Sequence, residues 1–408
     1  MAQEPSFRGA PRRPCTMMHC RDAFSFQMQI VGLLASVVLV SACEPPRDEG
    51  GDGSGRDPAS RSVPGPDVNA PSYTKPVSKP QLVADNLDFP VDMARVENTK
   101  VFFFTEKATG KIRSAVGNRI VRRPCAVLSV NSEGERGTLG IATDPAFERN
   151  HWLYVYYTNA EPLENRVTRF TVRGNQCTEP TDIISLPADP STRHNGGQLE
   201  FVGSKLFVAV GDGYSTPALA QDLTSPLGKI LRFNRDGSIP EGNPFSAPQQ
   251  PNPVWSYGFR NPFGLTHSPD SGRLYATDNG PECDDELNLV HRGGNYGWGP
   301  GKTCGGRGVG RHPHRPMVSW TPPIAPTDPW FYTGSIEPFT GNIFVGDFNT
   351  GRVHRFELND EGTEVVRQSV LHDFDRQVAD VSEGPRGFLY VLTIDSIKRF
   401  VGQEPSTD

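Results

Sequence analysis

The chain has 408 residues, of which 36% are hydrophobic, so it can bury a sizeable core. Its formal net charge is −6, and its 41 lysines and arginines are scattered without a basic stripe. This pattern excludes an extended phosphate-binding face, and we expect no nucleic-acid partner.

Residues 1–43 are typical of an export signal. Ile30–Ala42, IVGLLASVVLVSA, is an apolar run shorter than the roughly 20 residues that span a bilayer, and it has the length of a signal h-region. Its end overlaps Val40–Cys43, VSAC, which resembles a bacterial lipobox whose cysteine is acylated. We therefore predict an exported lipoprotein of the periplasm or cell surface, held at the membrane only through a lipid on Cys43. An ordinary cleaved signal and a short hydrophobic anchor are the alternatives.

Residues 44–79 are rich in proline, glycine, serine and charged residues, and they contain little that a core could bury. This composition predicts a disordered linker between the lipid and the folded part of the chain.

Four cysteines remain in the folded part: Cys125, Cys177, Cys283 and Cys304. In an oxidising compartment an even number permits two disulfides, and the spacing matches no zinc motif. The short separation favours Cys283 with Cys304, which leaves Cys125 with Cys177. Four cysteines nevertheless allow three pairings, and four buried free thiols remain an alternative.

Residues 80–403 contain short apolar strands, most of them followed by a turn and a second strand that ends in a charged or aromatic pair. The apolar strands begin at Val101, Leu153, Leu206, Leu274, Ile343 and Leu389 and read VFFFTE, LYVYYT, LFVAVG, LYATDN, IFVGDF and LYVLTI. The recurrence of one unit without helical periodicity predicts an all-β fold. Six copies predict a six-bladed β-propeller of four-stranded antiparallel blades, an architecture that protects its sheet edges. A pair of β-sandwiches is the alternative.

A histidine stands directly before the third apolar strand, in the stretch RHNGGQLEFVGSKLFVAVGDG (Arg193–Gly213). With LFVAVG as the inner strand of the third blade, His194 is expected on a loop at the channel mouth, beside Gly196 and Gly197. An imidazole there can take a proton from a bound hydroxyl. A turn or packing role for His194 is the alternative.

Five segments of the chain resemble the soluble dehydrogenases for glucose and aldose sugars that depend on pyrroloquinoline quinone (PQQ). The resemblance extends over about residues 80–401 and is most distinctive in the block from YGFRNPFGL to NYGW. The segments are GERGTLGIATDPAF (Gly134–Phe147), RHNGGQL (Arg193–Leu199), LGKILRFNRDGSIPEGNPF (Leu227–Phe245), Val254–Gly299 and EGPRGFLYVLT (Glu383–Thr393).

The resemblance implies oxidation of an aldose at C1 to the lactone, with an external electron acceptor. His194 would abstract the C1 hydroxyl proton while hydride moves to C5 of the quinone, and Arg260 would polarise the C5 carbonyl oxygen. Asn261 and Glu135 would contact the cofactor. A calcium ion would bind main-chain carbonyls at Gly280 and Pro281, and a second, structural calcium would lie at Asp285 and Tyr296. For the acidic segment around Asp285, a solvated loop is the alternative.

The chain departs from the family where the quinone carboxylates are held. Relatives with demonstrated cofactor chemistry carry a lysine in blade five and an Arg-x-Arg-Asp-Val segment in blade six. Here Asn349, Gln377 and Ala379 take those positions. Each lost charge-assisted hydrogen bond removes roughly 1.5–3 kcal/mol of binding. Two further departures are Glu135, where the glucose enzymes have a glutamine, and Gln198, where an arginine is usual. Three arginines near the clamp positions in sequence are candidate substitutes for the missing cations: Arg352, Arg355 and Arg376.

Three functions are therefore weighed. The first is a PQQ-dependent aldose dehydrogenase of low cofactor affinity or relaxed specificity. The second is a non-catalytic sugar- or ligand-binding propeller that has lost the quinone clamp, as in the related hedgehog-interacting ectodomains. The third is a calcium-dependent hydrolase such as a lactonase, which would use acids at the channel top. Against it stands the expected lack of a ring of inward Glu, Asn and Asp residues, one from each of several blades.

Overall fold

A computed structural model describes residues 75–76 and 79–403 of the chain. The predicted signal segment 1–43, with its lipobox cysteine Cys43, and residues 44–74 of the predicted linker lie outside the described residues. Two residues of that linker, Lys75–Pro76, pair with Gly402–Gln403 in a short antiparallel ladder, so ordered structure begins before residue 80.

Six antiparallel sheets form the blades of a propeller, which confirms the predicted fold. Strands are numbered in chain order, and the first two are β1 (Lys75–Pro76) and β2 (Gln81–Ala84). Blade one contains β3 (Pro90–Arg95), β4 (Val101–Glu106), β5 (Lys111–Val116), β6 (Arg119–Ile120) and β7 (Ala126–Val127). Blade two contains β8 (Thr138–Thr143), β9 (Trp152–Asn159), β10 (Glu164–Arg173) and β11 (Gln176–Pro187). Blade three contains β12 (Leu199–Val202), β13 (Lys205–Val210), β14 (Lys229–Phe233) and β15 (Val254–Tyr257).

The remaining blades repeat the same order. Blade four contains β16 (Pro262–His267), β17 (Leu274–Asp278), β18 (Asp285–Val290) and β19 (Val318–Trp320). Blade five contains β20 (Pro326–Phe331), β21 (Asn342–Asp347), β22 (Arg352–Leu358) and β23 (Val365–Asp373). Blade six contains β24 (Val378–Glu383), β25 (Leu389–Thr393) and β26 (Ile397–Phe400), and β27 is Gly402–Gln403. The described helices are α1 (Phe147–Asn150) and three 3-10 turns, Pro217–Gln221, Glu337–Phe339 and Pro385–Gly387.

The first strand of each blade lines the central channel. Strands β3, β8, β12, β16, β20 and β24 contact one another in a closed ring. The prediction that LFVAVG is the inner strand of blade three is therefore wrong, because this segment belongs to β13, the second strand. All six apolar strands identified from the sequence are second strands. They read as continuous apolar runs because both of their faces are buried against neighbouring blades.

Blade six closes the ring by combining both ends of the described chain. Its outer strand, β2, precedes blade one in sequence and pairs with β26, near the C-terminal end. The antiparallel pairing of β1 with β27 is a second contact between the two ends of the described chain. Closure of the ring leaves no sheet of the propeller without a neighbour on each face.

The hydrophobic core lies between neighbouring blades. Between blades six and one, Phe102 and Phe104 pack with Tyr390 and Leu392, and all four side chains are buried. Phe102 meets Tyr390 edge to face, with 5.6 Å between ring centroids. The side chains on the two faces of each second strand thus pack against the two neighbouring blades.

Both predicted disulfides form. Cys125, which follows β6, bonds to Cys177 in β11 and so joins blade one to blade two. Cys283 bonds to Cys304 and joins the β17–β18 connection to the long segment between β18 and β19. In the described part of the chain no helix is long and apolar enough to span a membrane.

The channel contains a group of acidic residues that the sequence did not lead us to expect. Asp92, Asp328 and Asp380 come from the inner strands of blades one, five and six, and each offers a carboxylate oxygen within 4.8 Å of the others. The expectation that several blades contribute no inward Glu, Asn or Asp residues is therefore wrong for the aspartates of these three blades. Burial raises the pKa of Asp92 to about 7, and it also raises the pKa of Asp328 and of Asp380.

Candidate functional site

The sequence-predicted residues converge at one end of the channel because of the blade geometry. In an antiparallel blade the start of the first strand and the end of the second strand lie at the same end. Glu135, His194 and Arg260 stand before inner strands β8, β12 and β16, while Asp212 and Gly280 follow second strands β13 and β17. The loops of blades two, three and four therefore form one polar wall of the channel mouth.

His194 is fixed by a buried carboxylate. Its Nδ1 lies 2.6 Å from Oδ1 of Asp212, and the two side chains are 5% and 0% exposed. A carboxylate accepts only, so Nδ1 carries the proton in the neutral ring and Nε2 is the basic nitrogen. The backbone of His194 has a positive φ of 52°, and its ring meets Tyr214 edge to face at 5.2 Å.

Asp212 is a candidate functional residue that sequence reasoning missed. Its Oδ2 accepts a hydrogen bond from the indole Nε1 of Trp298 at 2.6 Å, and its Oδ1 also accepts the backbone N–H of Tyr214 at 2.7 Å. The preceding Gly211 is required, because a Cβ there would lie 2.0 Å from the carbonyl oxygen of His194. The motif Gly-Asp-Gly after an apolar strand was the available signal.

Glu135 links His194 to Asn261. Its Oε2 accepts the backbone N–H of His194 at 2.7 Å and lies 3.5 Å from Nδ2 of Asn261. Oδ1 of Asn261 accepts the backbone N–H of Gly196 at 3.1 Å. The loops of blades two, three and four are thus held together by side chains that the sequence assigned to the cofactor.

Arg260 lies beside the same group. Its Nη1 donates to the carbonyl oxygens of Asn279 at 2.9 Å and Gly280 at 2.7 Å, and its guanidinium carbon lies 5.4 Å from the Trp298 ring centroid. The buried carboxylate of Asp278 accepts the backbone N–H groups of Arg260 and Asn261 at 3.0 and 2.7 Å. Burial raises the pKa of Asp278 to about 8. The turn that carries the Arg-Asn pair is therefore anchored to the end of β17.

The residues predicted to bind calcium occupy the adjacent turn. Gly280 requires a glycine, because a Cβ would lie 2.0 Å from the carbonyl oxygen of Cys283. Gly280 and Pro281 line a cleft together with Arg260, Trp298 and the Cys283–Cys304 disulfide. A carbonyl oxygen has two lone pairs, so Gly280 can accept Arg260 and still ligate a cation. Main-chain oxygens are ligands that calcium accepts.

Asp285 and Tyr296, predicted to hold a second calcium, are engaged by backbone groups. The carboxylate of Asp285 accepts the N–H groups of Gly280, Ile324 and Ala325 at 2.8, 2.7 and 2.7 Å. The Tyr296 hydroxyl donates to the Leu289 carbonyl at 2.6 Å and accepts the His291 N–H at 2.8 Å. Binding of calcium by these side chains would require exchange of those hydrogen bonds.

The opposite wall of the mouth contains the positions that the resemblance assigns to the quinone carboxylates. Asn349 is exposed and donates to the Pro323 carbonyl at 3.1 Å, Gln377 is exposed, and Ala379 is buried on the inner strand β24. Arg352 and Arg376 form exposed ion pairs at 3.0 Å with Asp373 and Asp395. Such pairs contribute little, so both arginines are available to another anion. Arg355 bonds instead to Pro338 in the β20–β21 connection, at the other end of the blade.

A stacked aromatic pair also lies on this wall, and sequence reasoning missed it. Phe89, before β3, and Phe348, after β21, stack with 6.0 Å between centroids and 15° between ring planes. Both side chains are half-buried. The Lys107 ammonium lies 5.8 Å from the Phe89 centroid and donates to the Gly134 carbonyl at 2.7 Å. Lys107 thus connects the aromatic pair to the loop of Glu135.

The polar groups that line the channel mouth fit the quinone end of PQQ. A guanidinium, an amide and main-chain carbonyl oxygens line the wall of blades three and four, as a quinone carbonyl and its calcium would require. The wall of blades five and six offers the exposed Arg352 and Arg376 to the carboxylates. The residues present therefore fit the reacting end of the cofactor better than its carboxylate end.

Fold and site together define a six-bladed propeller with a His–Asp pair and an arginine at one end of its channel. The chain belongs to the glucose/sorbosone dehydrogenase family, whose model matches residues 87–401, and this confirms the resemblance noted in the sequence. It is 28% identical to the aldose sugar dehydrogenase YliI of Escherichia coli over 338 residues, covering 78% of this chain and 90% of that protein.

Two further comparisons bear on the alternatives. The PQQ-bound aldose sugar dehydrogenase of Streptomyces coelicolor has the same fold, with a TM-score of 0.69 at 26% identity over 80% of this chain and all (100%) of that one. Human hedgehog-interacting protein is 32% identical over 152 residues, which cover 31% of this chain and 22% of that protein. The chain is thus similar to a PQQ-bound sugar dehydrogenase over most of its length and to a hedgehog-interacting protein over a shorter stretch.

Proposed function

We propose that the protein oxidises an aldose sugar at C1 to the lactone, with PQQ as the hydride acceptor. The observation that carries the proposal is the His194–Asp212 pair at the channel mouth, beside the cleft that Arg260 lines. A histidine with one nitrogen held by a carboxylate is suited to general-base catalysis. A packing role would not need a buried acid that also bonds Trp298.

In this proposal His194 Nε2 takes the proton of the C1 hydroxyl. Asp212 holds the ring in the tautomer that leaves Nε2 basic, and it stabilises the imidazolium that forms. General-base assistance of this kind contributes a factor of about 10² to 10⁴ to the rate. Because the His194 side chain is 5% exposed, the base is shielded from bulk water.

Arg260 is proposed to stabilise the negative charge that develops on the acceptor oxygen. Bound PQQ would supply a carbon that accepts the C1 hydride. Arg260 and Asn261 would hold the reacting end of PQQ with Glu135 at its side, and Gly280 and Pro281 would offer carbonyl oxygens to calcium. A planar guanidinium over the Trp298 indole is pre-oriented for this, since its position is set before substrate arrives.

Cofactor affinity is proposed to be low. Three carboxylate-binding cations are absent from the predicted clamp positions, and each contact would be worth roughly 1.5–3 kcal/mol. Arg352 and Arg376 can restore part of this binding free energy only if they leave their ion pairs with Asp373 and Asp395.

The test is titration of the purified protein with PQQ and calcium. Quinone absorbance that saturates with added protein and is bleached by an aldose would support the proposal. A wild-type protein that shows no turnover at saturating PQQ would contradict it.

The second candidate is a sugar- or ligand-binding propeller without turnover. The observation in its favour is the composition of the opposite wall. There Asn349, Gln377 and Ala379 occupy the positions at which the resemblance predicts cations for the quinone carboxylates. It predicts sugar binding that is independent of PQQ, with His194→Gln changing affinity only modestly.

A further inference from the structure

We propose that the central channel binds one divalent cation of the calcium type through Asp92, Asp328 and Asp380. This site is separate from the main-chain oxygens of Gly280 and Pro281. It does not depend on the proposed sugar oxidation, because its residues lie on inner strands and not in the loops of the mouth.

The geometry of the three carboxylates suits a single ion. They come from three consecutive blades, five, six and one, and each is the third residue of its inner strand. One oxygen of each lies within 4.8 Å of the others. Because calcium–oxygen distances are about 2.3–2.6 Å, two ligands on opposite sides of one ion lie about 4.6–5.2 Å apart. The oxygens are therefore close enough to bind the same ion without movement of the strands.

The charges of the cluster are not balanced by protein cations. Within residues 79–403, no lysine, arginine or histidine forms an ion pair with any of the three acids. The side chain that reaches Asp328 is an uncharged amide, because Nε2 of Gln198 donates to Asp328 at 2.8 Å. Buried carboxylates are stable only when they are paired, protonated or bound to metal.

A second observation points independently to a ligand. Asp380 is fully buried, and its Oδ1 has no hydrogen-bond partner, although Oδ2 accepts the Ser382 hydroxyl at 2.8 Å. A buried carboxylate oxygen without a donor is destabilising, and a bound cation removes that penalty.

The other carboxylates are held in place by backbone donors. Asp92 accepts the N–H groups of Met93 and Ile141, each at 2.7 Å, and Asp328 accepts that of Leu265 at 3.1 Å. These bonds reach from blade one to blade two and from blade five to blade four. The cluster is therefore preorganised, and little order would be lost on binding.

The experiment counts bound ions on the full-length protein. After treatment with a chelator, the protein is titrated with Ca²⁺ and analysed by native mass spectrometry. Wild type is expected to bind one more calcium than Asp380→Asn. The matched control is Asp347→Asn, which changes a buried acid of the same blade as Asp328 that bonds Thr350 and His354; it is expected to bind as many ions as wild type.

Thermal unfolding gives the second readout. Calcium should raise the melting temperature of wild type and of Asp347→Asn through this site, and the rise should be smaller in Asp380→Asn, because an ion that binds only the folded state stabilises it. If Asp380→Asn does not fold, Asp92→Asn serves in its place.

Equal ion counts in wild type and in the channel variant overturn the proposal. So does an acid cluster that remains ion-free at millimolar Ca²⁺, since the carboxylates would then be held by protons. Loss of sugar oxidation alone would leave the ion count of the channel unchanged and would bear only on the proposed function.

Discussion

The two walls of the channel mouth differ in how completely they are built. On the wall of blades two to four, polar side chains form a connected network in which Glu135, His194, Asp212, Asn261 and Arg260 share partners. On the opposite wall, Asn349 and Gln377 are exposed, and Phe89 and Phe348 stack on each other. The difference teaches that the residues proposed for proton removal and charge stabilisation lie in a connected network, whereas the wall proposed to hold the cofactor carboxylates lacks such a network.

The largest effect is expected at the wall of blades two to four, which we call the network wall. His194→Gln should lower dye-coupled aldose oxidation by about 10² or more, because it removes the proposed general base. The measurement is the turnover rate at saturating PQQ and calcium. The matched control is His151→Gln, at the exposed end of α1, which should leave the rate unchanged. Equal rates for both variants would remove His194 from the reaction.

A smaller effect, on the order of 10², is expected for Asp212→Asn. The amide cannot hold the same tautomer of His194 or stabilise its imidazolium, so kcat should fall while PQQ affinity stays the same. The control is Asp236→Asn, an exposed turn residue bonded to Ser238. A change in PQQ affinity with kcat unaltered would make Asp212 a structural residue only.

The opposite wall should respond to a cation that is added. Asn349→Lys places an ammonium where the resemblance predicts a cation. One charge-assisted hydrogen bond of about 1.5–3 kcal/mol corresponds to roughly 10- to 100-fold tighter PQQ binding. Asn349→Gln is the matched control, since it adds length without charge. The dissociation constant is measured by quinone absorbance. No gain for the lysine variant would mean that the cofactor carboxylates do not reach this wall.

The sequence predicted the blades well because of how second strands are buried. Phe102, Phe103 and Phe104 are all buried, since both faces of β4 meet neighbouring blades. Inner strands are harder to recognise, because PVDMAR and VADVSE carry acids that face the channel. LFVAVG was therefore placed one strand too far inward.

Only those site residues that belong to a local sequence pattern were predicted. His194 stood beside glycines before a strand, a local pattern that a sequence shows. The proposed role of Asp212 depends on the spatial pairing of two loops. The channel acids come from three separate strands, of which β3 and β24 are the first and the last inner strand of the propeller. Contacts of that kind are set by ring closure, which no local pattern specifies.

The smallest effect should come from the aromatic pair. A stacked pair contributes about 0.5–1.5 kcal/mol, so Phe348→Leu should weaken PQQ binding by about two- to tenfold if the rings support the flat face of the quinone. Turnover at saturating PQQ should stay the same, because the network wall is not altered. The control is Phe147→Leu, which removes a ring packed near Phe103 at the far end of the propeller. If Phe348→Leu lowers the melting temperature as Phe147→Leu does and leaves the PQQ dissociation constant unchanged, the pair is a packing contact, and the opposite wall then contributes to cofactor binding only through its two exposed arginines.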